Sequence, residues 1–395
     1  MVTIVAGASA CVGSDPVVET PSANDSGGAS DTGTNPQPGT DAATDSGGGD
    51  SGACTGTQTS CSGKCVDTAS SADHCGACGH SCGGGMCDAS ACAPVLVASN
   101  IAQPLGVAVA GGSAFWIRSG AVERCPVTGC TGAPTNITSD VVISAGQPGG
   151  TTIVSDGNQV AWIATGNASG NGRDVFACGV AGCLNGFSPK TSTGMTGTPT
   201  QLALDGTTAF ATQDVGAERQ GPMSTLVMTG TGLGSDVPTG IAADATNVYV
   251  AGVAQSAAGV DRCTRTAGLC TNPTRLFVGA VYIAAGGGVV LATSTDGIKK
   301  CASTGCGGSA AVVMASDKAA SAIAASSTFA AWVTAGSTSV GDGTVRVCAL
   351  PACSAPRTVA TGQAQPVSVT IADGFVYWAN RGTGIGTGAV WRAAL

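Results

Sequence analysis

Short apolar segments recur from residue 94 to the end of the chain in a repeating order. A unit opens with an apolar strand, often begun by Pro, and turns at Asp or Gly into a second strand with an aromatic residue at a fixed place. A Gly-rich loop, a third strand ending in Cys, a short turn to a second Cys and a final Thr/Val strand complete the unit. The fixed place holds, unit by unit, Trp116, Trp162, Ala211, Val250, Leu291, Trp332 and Trp378. Four of the five tryptophans occupy it, so the pattern is a genuine internal repeat.

The repeat predicts the fold class. Four short strands in about 40–45 residues is the size of a propeller blade. Residues 94–395, shared among seven units, give about 43 residues each, so we predict an all-β fold, a seven-bladed β-propeller. A sixfold ring would need about 50 residues per blade and would leave one aromatic strand unplaced. Residues 310–333 are rich in Ala and Ser and have helical propensity, but their position in the repeat favours strands.

The two ends of the repeat region predict how the ring closes. Residues 389–395 match the third strand of a unit, and residues 94–99 match a fourth strand. We therefore expect the N-terminal strand to complete the last blade. This pairing hides two strand edges that would otherwise invite aggregation.

Ten cysteines of the repeat lie in close pairs at the turn between third and fourth strands. The chain has 19 cysteines and only two histidines, which favours an oxidising, extracytoplasmic environment. We interpret the pairs as disulfides that staple blades poor in aromatic residues, each worth about 2 kcal/mol. A redox-active role would need basic or helix N-terminal surroundings, which the sequence does not show. The third unit lacks both the Cys pair and the Trp, so we expect it to be the least regular blade. The pairs are Cys125/Cys130, Cys178/Cys183, Cys263/Cys270, Cys301/Cys306 and Cys348/Cys353.

Residues 54–92 form a Cys-rich module that is too small for an apolar core and must be held by covalent staples. Its even number of cysteines predicts four disulfides, whose connectivity the sequence leaves open. A zinc site is the alternative, drawn from His74, Cys75, Cys78, His80 and Cys82. The lack of a second, matched CxxC favours disulfides. The eight cysteines are Cys54, Cys61, Cys65, Cys75, Cys78, Cys82, Cys87 and Cys92.

The negative charge is concentrated in residues 12–53. This segment has seven acids, no Lys or Arg and no apolar periodicity, which predicts a disordered linker. The formal net charge is −8 for the whole chain and about −1 without these acids, so the folded part is near neutral. Without a basic cluster, nucleic-acid binding is not expected. No stretch of about 18 apolar residues predicts a spanning helix.

Residues 1–11 end in Ala8-Ser9-Ala10 before Cys11 and resemble the end of a bacterial lipoprotein signal peptide. The resemblance implies acylation of Cys11, which also accounts for the odd number of cysteines. The alternatives are an ordinary secretory signal or a start that carries no signal. With an anchor at Cys11, the linker would hold the folded part off a membrane. We therefore expect an extracytoplasmic protein of a Gram-negative bacterium, either lipid-anchored at the outer membrane or secreted.

Two segments carry a family resemblance. The stretch from Cys65 to Cys82 and the repeat of 94–395, whose clearest copy is Gly374-Phe-Val-Tyr-Trp-Ala-Asn380, resemble the Cys-rich modules and Cys-stapled propellers of secreted myxobacterial proteins. The repeat units are also similar, at a distance, to those of YWTD and NHL propellers. The resemblance implies a cell-envelope protein and brings no catalytic residues with it.

Groups suited to catalysis are scarce in the propeller. Both histidines lie in the Cys-rich module, which excludes a Ser-His-Asp or Cys-His site in residues 94–395. The only glutamates there are Glu123 and Glu218. Aspartates recur at the turn after the first strand, where they cap turns locally, with calcium ligation as the alternative. These are Asp156, Asp205, Asp244 and Asp373.

One face of the ring remains as a candidate binding surface. The loops that open first strands and those that join second to third strands share this side, here called the channel-mouth face. Gln103, Gln147 and Gln365 each precede a Pro at the start of a blade. Arg118, Arg219 and Arg381 are expected in the second-to-third-strand loops. Amides and guanidinium groups can hydrogen-bond a glycan or a peptide terminus, while ordinary loop residues facing water are the alternative.

The sequence therefore predicts a monomeric, non-catalytic binding or scaffold protein. Its partner would be a protein or a polysaccharide at the cell surface, with no cofactor and no metal. The alternative function is a polysaccharide-modifying enzyme, a lyase or hydrolase, that uses Asp and Arg groups at the channel mouth.

Overall fold

The computed structural model describes residues 54–138, 153–165, 173–180, 190–191, 199–206, 208–213, 217–222, 229–234, 237–254, 257–265, 273–306, 311–314, 316–318, 320–336 and 341–395. The predictions for residues 1–11 and 12–53, and for Gln147, lie outside these ranges. All regular elements within them are β-strands. No helix in these ranges is long and apolar enough to cross a membrane.

Seven four-stranded antiparallel sheets form the ring, which confirms the predicted seven-bladed propeller. Blade 1 consists of β6 (Gly106–Ala110), β7 (Ser113–Arg118), β8 (Ala121–Pro126) and β9 (Thr135–Thr138). Blade 2 consists of β10 (Ile153–Ser155), β11 (Gln159–Thr165), β12 (Arg173–Gly179) and β13 (Lys190–Thr191). Blade 3 consists of β14 (Pro199–Asp205), β15 (Thr208–Gln213), β16 (Ala217–Pro222) and β17 (Thr229–Gly234).

The same order continues through the second half of the ring. Blade 4 consists of β18 (Val237–Ala243), β19 (Asn247–Ala254), β20 (Ala257–Thr264) and β21 (Thr274–Val278). Blade 5 consists of β22 (Ala280–Gly286), β23 (Val289–Ser294), β24 (Gly297–Ala302) and β25 (Ala311–Met314). Blade 6 consists of β26 (Ala322–Ala325), β27 (Phe329–Thr334), β28 (Gly343–Ala349) and β29 (Arg357–Gln363). The Ala/Ser-rich stretch of 310–333 is therefore strand, as its register indicated.

Blade 7 closes the ring with a strand from the other end of the chain. It consists of β30 (Pro366–Ala372), β31 (Phe375–Asn380), β32 (Gly388–Ala394) and β5 (Val95–Ile101). β5 pairs antiparallel with β32, for example Ala98 with Val390 and Leu96 with Trp391. The predicted closing strand is thus confirmed.

Second strands form the core because their alternate side chains face opposite neighbours. Trp116 packs toward the preceding blade, in one cluster with Tyr377 and Ala379 of blade 7. Phe115, one residue earlier, packs toward the following blade and shares a cluster with Trp162. The four tryptophans of the repeat are among the largest fully buried side chains. Each therefore seals the contact between two neighbouring blades.

The repeat register in blade 5 differs from the predicted one by one residue. In blade 1, Trp116 of the second strand pairs with Val107 of the first strand. The equivalent pairing in blade 5 joins Ile283 to Ala292, while Leu291 faces Ala284. Leu291 accordingly packs toward blade 6 in a cluster with Trp332. The assignment of Leu291 to the tryptophan slot was wrong, because a slip of one residue moves a side chain to the other face of a strand.

Disulfides close the turns between third and fourth strands. The structure joins Cys125 to Cys130, Cys301 to Cys306 and Cys348 to Cys353. Cys178 and Cys263 are also disulfide-bonded, but Cys183 and Cys270 lie outside the described residues.

Blade 3 lacks a Cys pair and is held by an arginine from blade 4. Arg265 forms an ion pair with Asp205 of blade 3, and its guanidinium lies 4.9 Å from the centroid of the Phe210 ring. Its Nη1 also donates to the main-chain oxygen of Asp244, at 2.9 Å. A charged clamp thus joins blades 3 and 4. The expected irregularity of blade 3 stays a prediction.

The Cys-rich module contains β1 (Thr59–Cys61), β2 (Lys64–Val66), β3 (Cys87–Asp88) and β4 (Ala91–Cys92). Its disulfides join Cys54 to Cys65, Cys61 to Cys78, Cys75 to Cys87 and Cys82 to Cys92. Every cysteine of the zinc alternative is therefore oxidised and cannot supply a thiolate. His74 accepts a hydrogen bond from the Gly79 amide, and His80 contacts main-chain oxygens.

The module packs on blade 7 where the turn between third and fourth strands would stand. The Nη2 of Arg392 donates to the main-chain oxygen of Gly83 at 2.5 Å, and the His80 Nε2 lies 2.8 Å from the main-chain oxygen of Leu395. Ala394 packs against the buried cysteines of the module, with Phe375 at the edge of this cluster. These contacts take the place of the disulfide turn that blade 7 lacks.

Candidate functional site

Two of the three predicted glutamines open blades in the same strained conformation. Gln103 has φ 50° and Gln365 has φ 55°, a left-handed region that non-glycine residues rarely adopt. The main-chain N–H of each glutamine donates to the main-chain oxygen two residues earlier. The Gln103 N–H reaches Ile101 at 3.0 Å, and the Gln365 N–H reaches Gln363 at 3.1 Å. Both side chains are half-buried. The repeat thus places Gln103 and Gln365 in equivalent turns, directly before the first strands of blades 1 and 7.

Close packing fixes these two turns. The prolines that follow the glutamines, Pro104 and Pro366, are buried. A Cβ added at Gly388 would collide with the ring of Pro104, and one added at Gly343 would collide with the ring of Pro366. The first residue of the preceding third strand must therefore be glycine for the turn to hold its shape.

The three predicted arginines differ in their surroundings. Arg118 ends β7 and pairs with Glu123, with 2.5 Å between Nη2 and Oε1. The hydrogen bond to Glu123 raises the pKa of the Arg118 guanidinium. Arg381 follows β31 and donates its main-chain N–H to Gln365, and its guanidinium has no partner among the described residues. Arg219 lies within β16, paired with Ala211, so its placement in a loop was wrong. Its side chain is not among the described ones.

Buried tryptophans of the second strands share another structural motif. Trp116 Nε1 donates to Glu123 Oε2 at 2.9 Å, so Glu123 holds both this indole and Arg118. Trp332 Nε1 donates to Asp317 Oδ2 at 2.5 Å, and the same oxygen lies 3.0 Å from Arg346 Nε. The Asp317 residue is only 5% exposed. Both carboxylates are thus engaged by an indole and a guanidinium.

Blade 7 uses a neutral version of this motif. Gln363 Oε1 accepts from Trp378 Nε1 at 2.8 Å and from Asn380 Nδ2 at 2.9 Å. Asp317 and Gln363 were not predicted as functional or structural residues from the sequence. Both acceptors lie 15 residues before their tryptophan, and this constant offset was the signal in the sequence.

Two of the four aspartates after first strands, Asp156 and Asp244, cap turns, whereas Asp205 forms the ion pair with Arg265. Asp156 Oδ1 accepts from the amides of Asn158 and Gln159, both at 2.8 Å. Asp244 Oδ1 accepts equivalent amide bonds from Thr246 and Asn247, also at 2.8 Å. These bonds support the turn-capping interpretation over calcium ligation. In the described ranges, the one cluster with three possible metal ligands is Cys75, Cys82 and Cys92, which are all in disulfides.

A groove of about 750 Å³ lies at the seam where the ring closes. One wall is the segment 96–102, which contains most of β5, and the other is the turn 128–134 after β8. Arg118 and Glu123 complete the lining and are its two charged residues. The Cys130 amide donates to the Val97 oxygen at 3.1 Å and ties the two walls together. Ring closure therefore creates a cleft between β5 and the turn of blade 1, and Ala102 at the end of one wall directly precedes Gln103.

Comparison with known proteins gives likeness of fold only. No family model matches the chain, and no curated protein matches it. A chain from the crystal structure of the mitotic checkpoint complex is similar with a TM-score of 0.53 and 9% identity, over 76% of this chain and 94% of that one. A chain from the nidogen/laminin complex has a TM-score of 0.45 and 14% identity, over 65% of this chain and 96% of that one.

PorZ, a surface component of the type-IX secretion system of Porphyromonas gingivalis, has a TM-score of 0.49 and 11% identity. The match covers 76% of this chain and 39% of the PorZ chain. At these identities only the fold is comparable, and function must be argued from the site. The chain is thus similar in fold to known proteins. Its assignment as a β-propeller rests on its own seven four-stranded sheets.

Proposed function

We propose that the chain is a non-catalytic binding or scaffold protein that recognises a protein or a polysaccharide through the propeller. The observation that carries this proposal is that the carboxylates beside the buried tryptophans are already bonded to neighbouring side chains. Glu123 is engaged by Arg118 and Trp116, and Asp317 by Arg346 and Trp332. A carboxylate held by an indole and a guanidinium stabilises the fold and is poorly placed to exchange protons with a substrate.

Polar residues at the start of blades 1 and 7 are suited to recognition. Gln103 and Gln365 are held in strained turns with positive φ. Residues in such conformations cluster at binding and active sites. Arg381 stands beside Gln365 without an ionic partner in the described part of the chain. Amides and one guanidinium can bind hydroxyl, carbonyl or carboxylate groups of a partner. No cofactor is part of this proposal, and the protein would act as a monomer.

Paired variants on the channel-mouth face test the proposal. Gln365→Gly keeps the left-handed backbone and removes the amide, and Arg381→Ala removes the guanidinium. We expect the full chain on beads to retain a component of a bacterial envelope extract and the double variant to retain several-fold less. Asp373→Gly is the control, since Asp373 has φ 50° but lies in a turn on the opposite side of the ring. Equal retention by wild type and the double variant would refute a role for this face.

A polysaccharide-modifying enzyme is the second candidate. Such an enzyme needs two carboxylates about 5–10 Å apart across a cleft. Glu123 is the one carboxylate in the seam groove lining, and it is bound to Arg118. Cleavage of a polysaccharide by the purified chain, abolished by changing one carboxylate, would establish the enzyme instead.

The disulfides are typical of an extracytoplasmic protein, because thiols stay reduced in the cytosol. We propose in addition that Cys11 is acylated and that residues 12–53 tether the folded part to an outer membrane. Incorporation of a fatty-acid analogue should occur in the wild type and disappear in Cys11→Ser. Labelling that persists in this variant would refute the anchor.

A further inference from the structure

We propose that the seam groove binds a neutral oligosaccharide. The proposal rests on the binding function proposed above and assigns it a place and a ligand class. The groove lies between segment 96–102 and turn 128–134, with about 750 Å³ of space. This volume is in the range of small-molecule sites, and it exceeds what a single sugar ring needs.

The polar side chains of the groove are free to bind a ligand. Ser99, Asn100, Thr128 and Thr131 are exposed in its walls. None of these four makes a side-chain hydrogen bond within the described ranges, whereas hydroxyl and amide groups elsewhere in the blades cap turns or bridge strands. Three hydroxyl groups and one amide offer donors and acceptors in similar number, which suits a ligand rich in hydroxyl groups.

The charge of the groove favours a neutral ligand. Its two charged residues, Arg118 and Glu123, neutralise each other across 2.5 Å. A phosphate or a uronic acid would meet no free cation among the lining residues, and a cationic ligand would meet no free carboxylate. Neutral hydroxyl groups can still accept from the guanidinium edge, which is 26% exposed on Arg118.

An apolar spot completes the surface that a sugar needs. The Leu96 residue is 42% exposed in the groove wall, and Pro134 lies in the opposite wall. The C–H face of a pyranose ring can cover such a spot while its hydroxyl groups reach Ser99 or Thr131. A peptide would require deeper apolar pockets for its side chains, and Val97, Ala98 and Ile101 are buried beneath the wall.

Titration of the full chain with a defined panel tests the proposal. The neutral probes are maltohexaose, cellohexaose and chitohexaose in its N-acetylated form, and an oligogalacturonate is the charged comparator. We expect saturable binding of at least one neutral probe by calorimetry, with a Kd that does not change with salt because no net charge is involved. The oligogalacturonate should bind no more tightly.

Two groove variants and two variants elsewhere locate the ligand. Asn100 has φ 57°, so Asn100→Gly removes the amide without straining the backbone, and Thr131→Val removes a hydroxyl at constant shape. Each should weaken binding about fivefold, the effect of one lost neutral hydrogen bond. Ser90→Gly in the Cys-rich module, at φ 66°, is the matched control and should leave the Kd unchanged.

The outcomes separate this inference from the broader function. If no neutral probe binds, or if both groove variants bind as the wild type does, the groove proposal fails. If Gln365→Gly alone abolishes binding, the ligand sits at the start of blade 7, outside the groove lining, and the binding function stands without the groove. Retention of an envelope protein that Asn100→Gly abolishes, with no sugar bound, would replace the glycan by a peptide and overturn the ligand class.

Discussion

Tyr249 and Asp244 show how single polar groups stabilise a blade with little aromatic core. The Tyr249 hydroxyl donates to Asp244 Oδ2 at 2.6 Å. Burial alone would raise the pKa of Asp244, but the hydrogen bonds from Tyr249, Thr246 and Asn247 outweigh it and hold that pKa below its ordinary value. Burial and the same hydrogen bond raise the pKa of Tyr249. The carboxylate is thus stabilised in its charged form by the fold.

The lowered pKa gives the first prediction, on Tyr249→Phe. A carboxyl whose pKa is lower in the folded state stabilises above its unfolded pKa, near 4, and loses that contribution as pH falls through the folded pKa. We expect the variant to be less stable than wild type by about 1 kcal/mol at pH 7, because one bond to a charged, partly exposed acceptor is lost. The difference should shrink at about pH 3, because that pH lies below the unfolded pKa and part of the contribution of Asp244 is then lost.

Urea unfolding at both pH values measures this effect. Tyr282→Phe is the matched control, since Tyr282 is half-buried and its hydroxyl bonds to no described group. It should change stability little and equally at both pH values. An equal loss for Tyr249→Phe at pH 7 and pH 3 would show that packing, and not Asp244, explains its role.

At the scale of elements, cations on the third strands of blades 4 and 5 join each of these blades to the next one. Lys300 Nζ donates to the oxygens of Pro351, at 2.9 Å, and Ala352, both in the disulfide turn of blade 6. Arg262 Nη1 donates at 2.8 Å to Ser303, in the turn of blade 5. Lys300 is paired across the sheet with Leu291, and Arg262 is paired with Tyr249. Leu291 and Tyr249 are the second-strand residues that pack toward the following blade. The long side chain thus reaches the neighbouring turn.

Lys300→Met tests this joint between blades. Methionine keeps the apolar stem but cannot donate to the two carbonyl oxygens, so we expect a loss of about 1 kcal/mol in the free energy of unfolding. Lys318→Met is the control, because Lys318 is exposed and donates no hydrogen bond in the part of the chain that the structure describes. Equal stability of the two variants would show that the Lys300 contacts contribute nothing.

The elements also show what the sequence could predict. Blade number, closing strand and disulfide turns follow from a repeat whose period and cysteines are regular along 94–395. The register of blade 5 could not be read, because Val289, Val290, Leu291 and Ala292 are all apolar and give no alternation to choose a face. The Gln-Pro turns were visible as dipeptides. The seam groove was not, because segments 96–102 and 128–134 meet only when the ring closes.

For the whole molecule, the Cys-rich module packs on blade 7, where the ring closes. This contact is called the clasp below. Gly83 has φ 57°, and a Cβ there would collide with the Phe375 ring, whose face lies 4.6 Å from the Arg392 guanidinium. Blade 7 alone combines strands from two distant parts of the chain, β5 and β32. The module therefore stabilises the joint on which the ring depends.

Gly83→Ala tests the clasp. The added methyl group must displace Phe375, so we expect a loss of about 2 kcal/mol and faster hydrogen exchange in β5 and β32. Gly79→Ala is the matched control: Gly79 has φ 76°, and a Cβ there meets nothing within 4 Å. It carries the same kind of backbone cost without the collision. If both variants exchange alike in β5 and β32, the module does not support the seam.

For the whole ring, we propose a platform stapled by disulfides that binds a partner and does not cleave it. The most direct test incubates the full chain with isolated bacterial envelope polysaccharide and follows, in one experiment, the fraction of protein that co-sediments and the length of the polymer. We predict saturable co-sedimentation with unchanged polymer length. Shortening of the polymer by the wild type, abolished in Glu123→Gln or Asp317→Asn while the fold is retained, would contradict it.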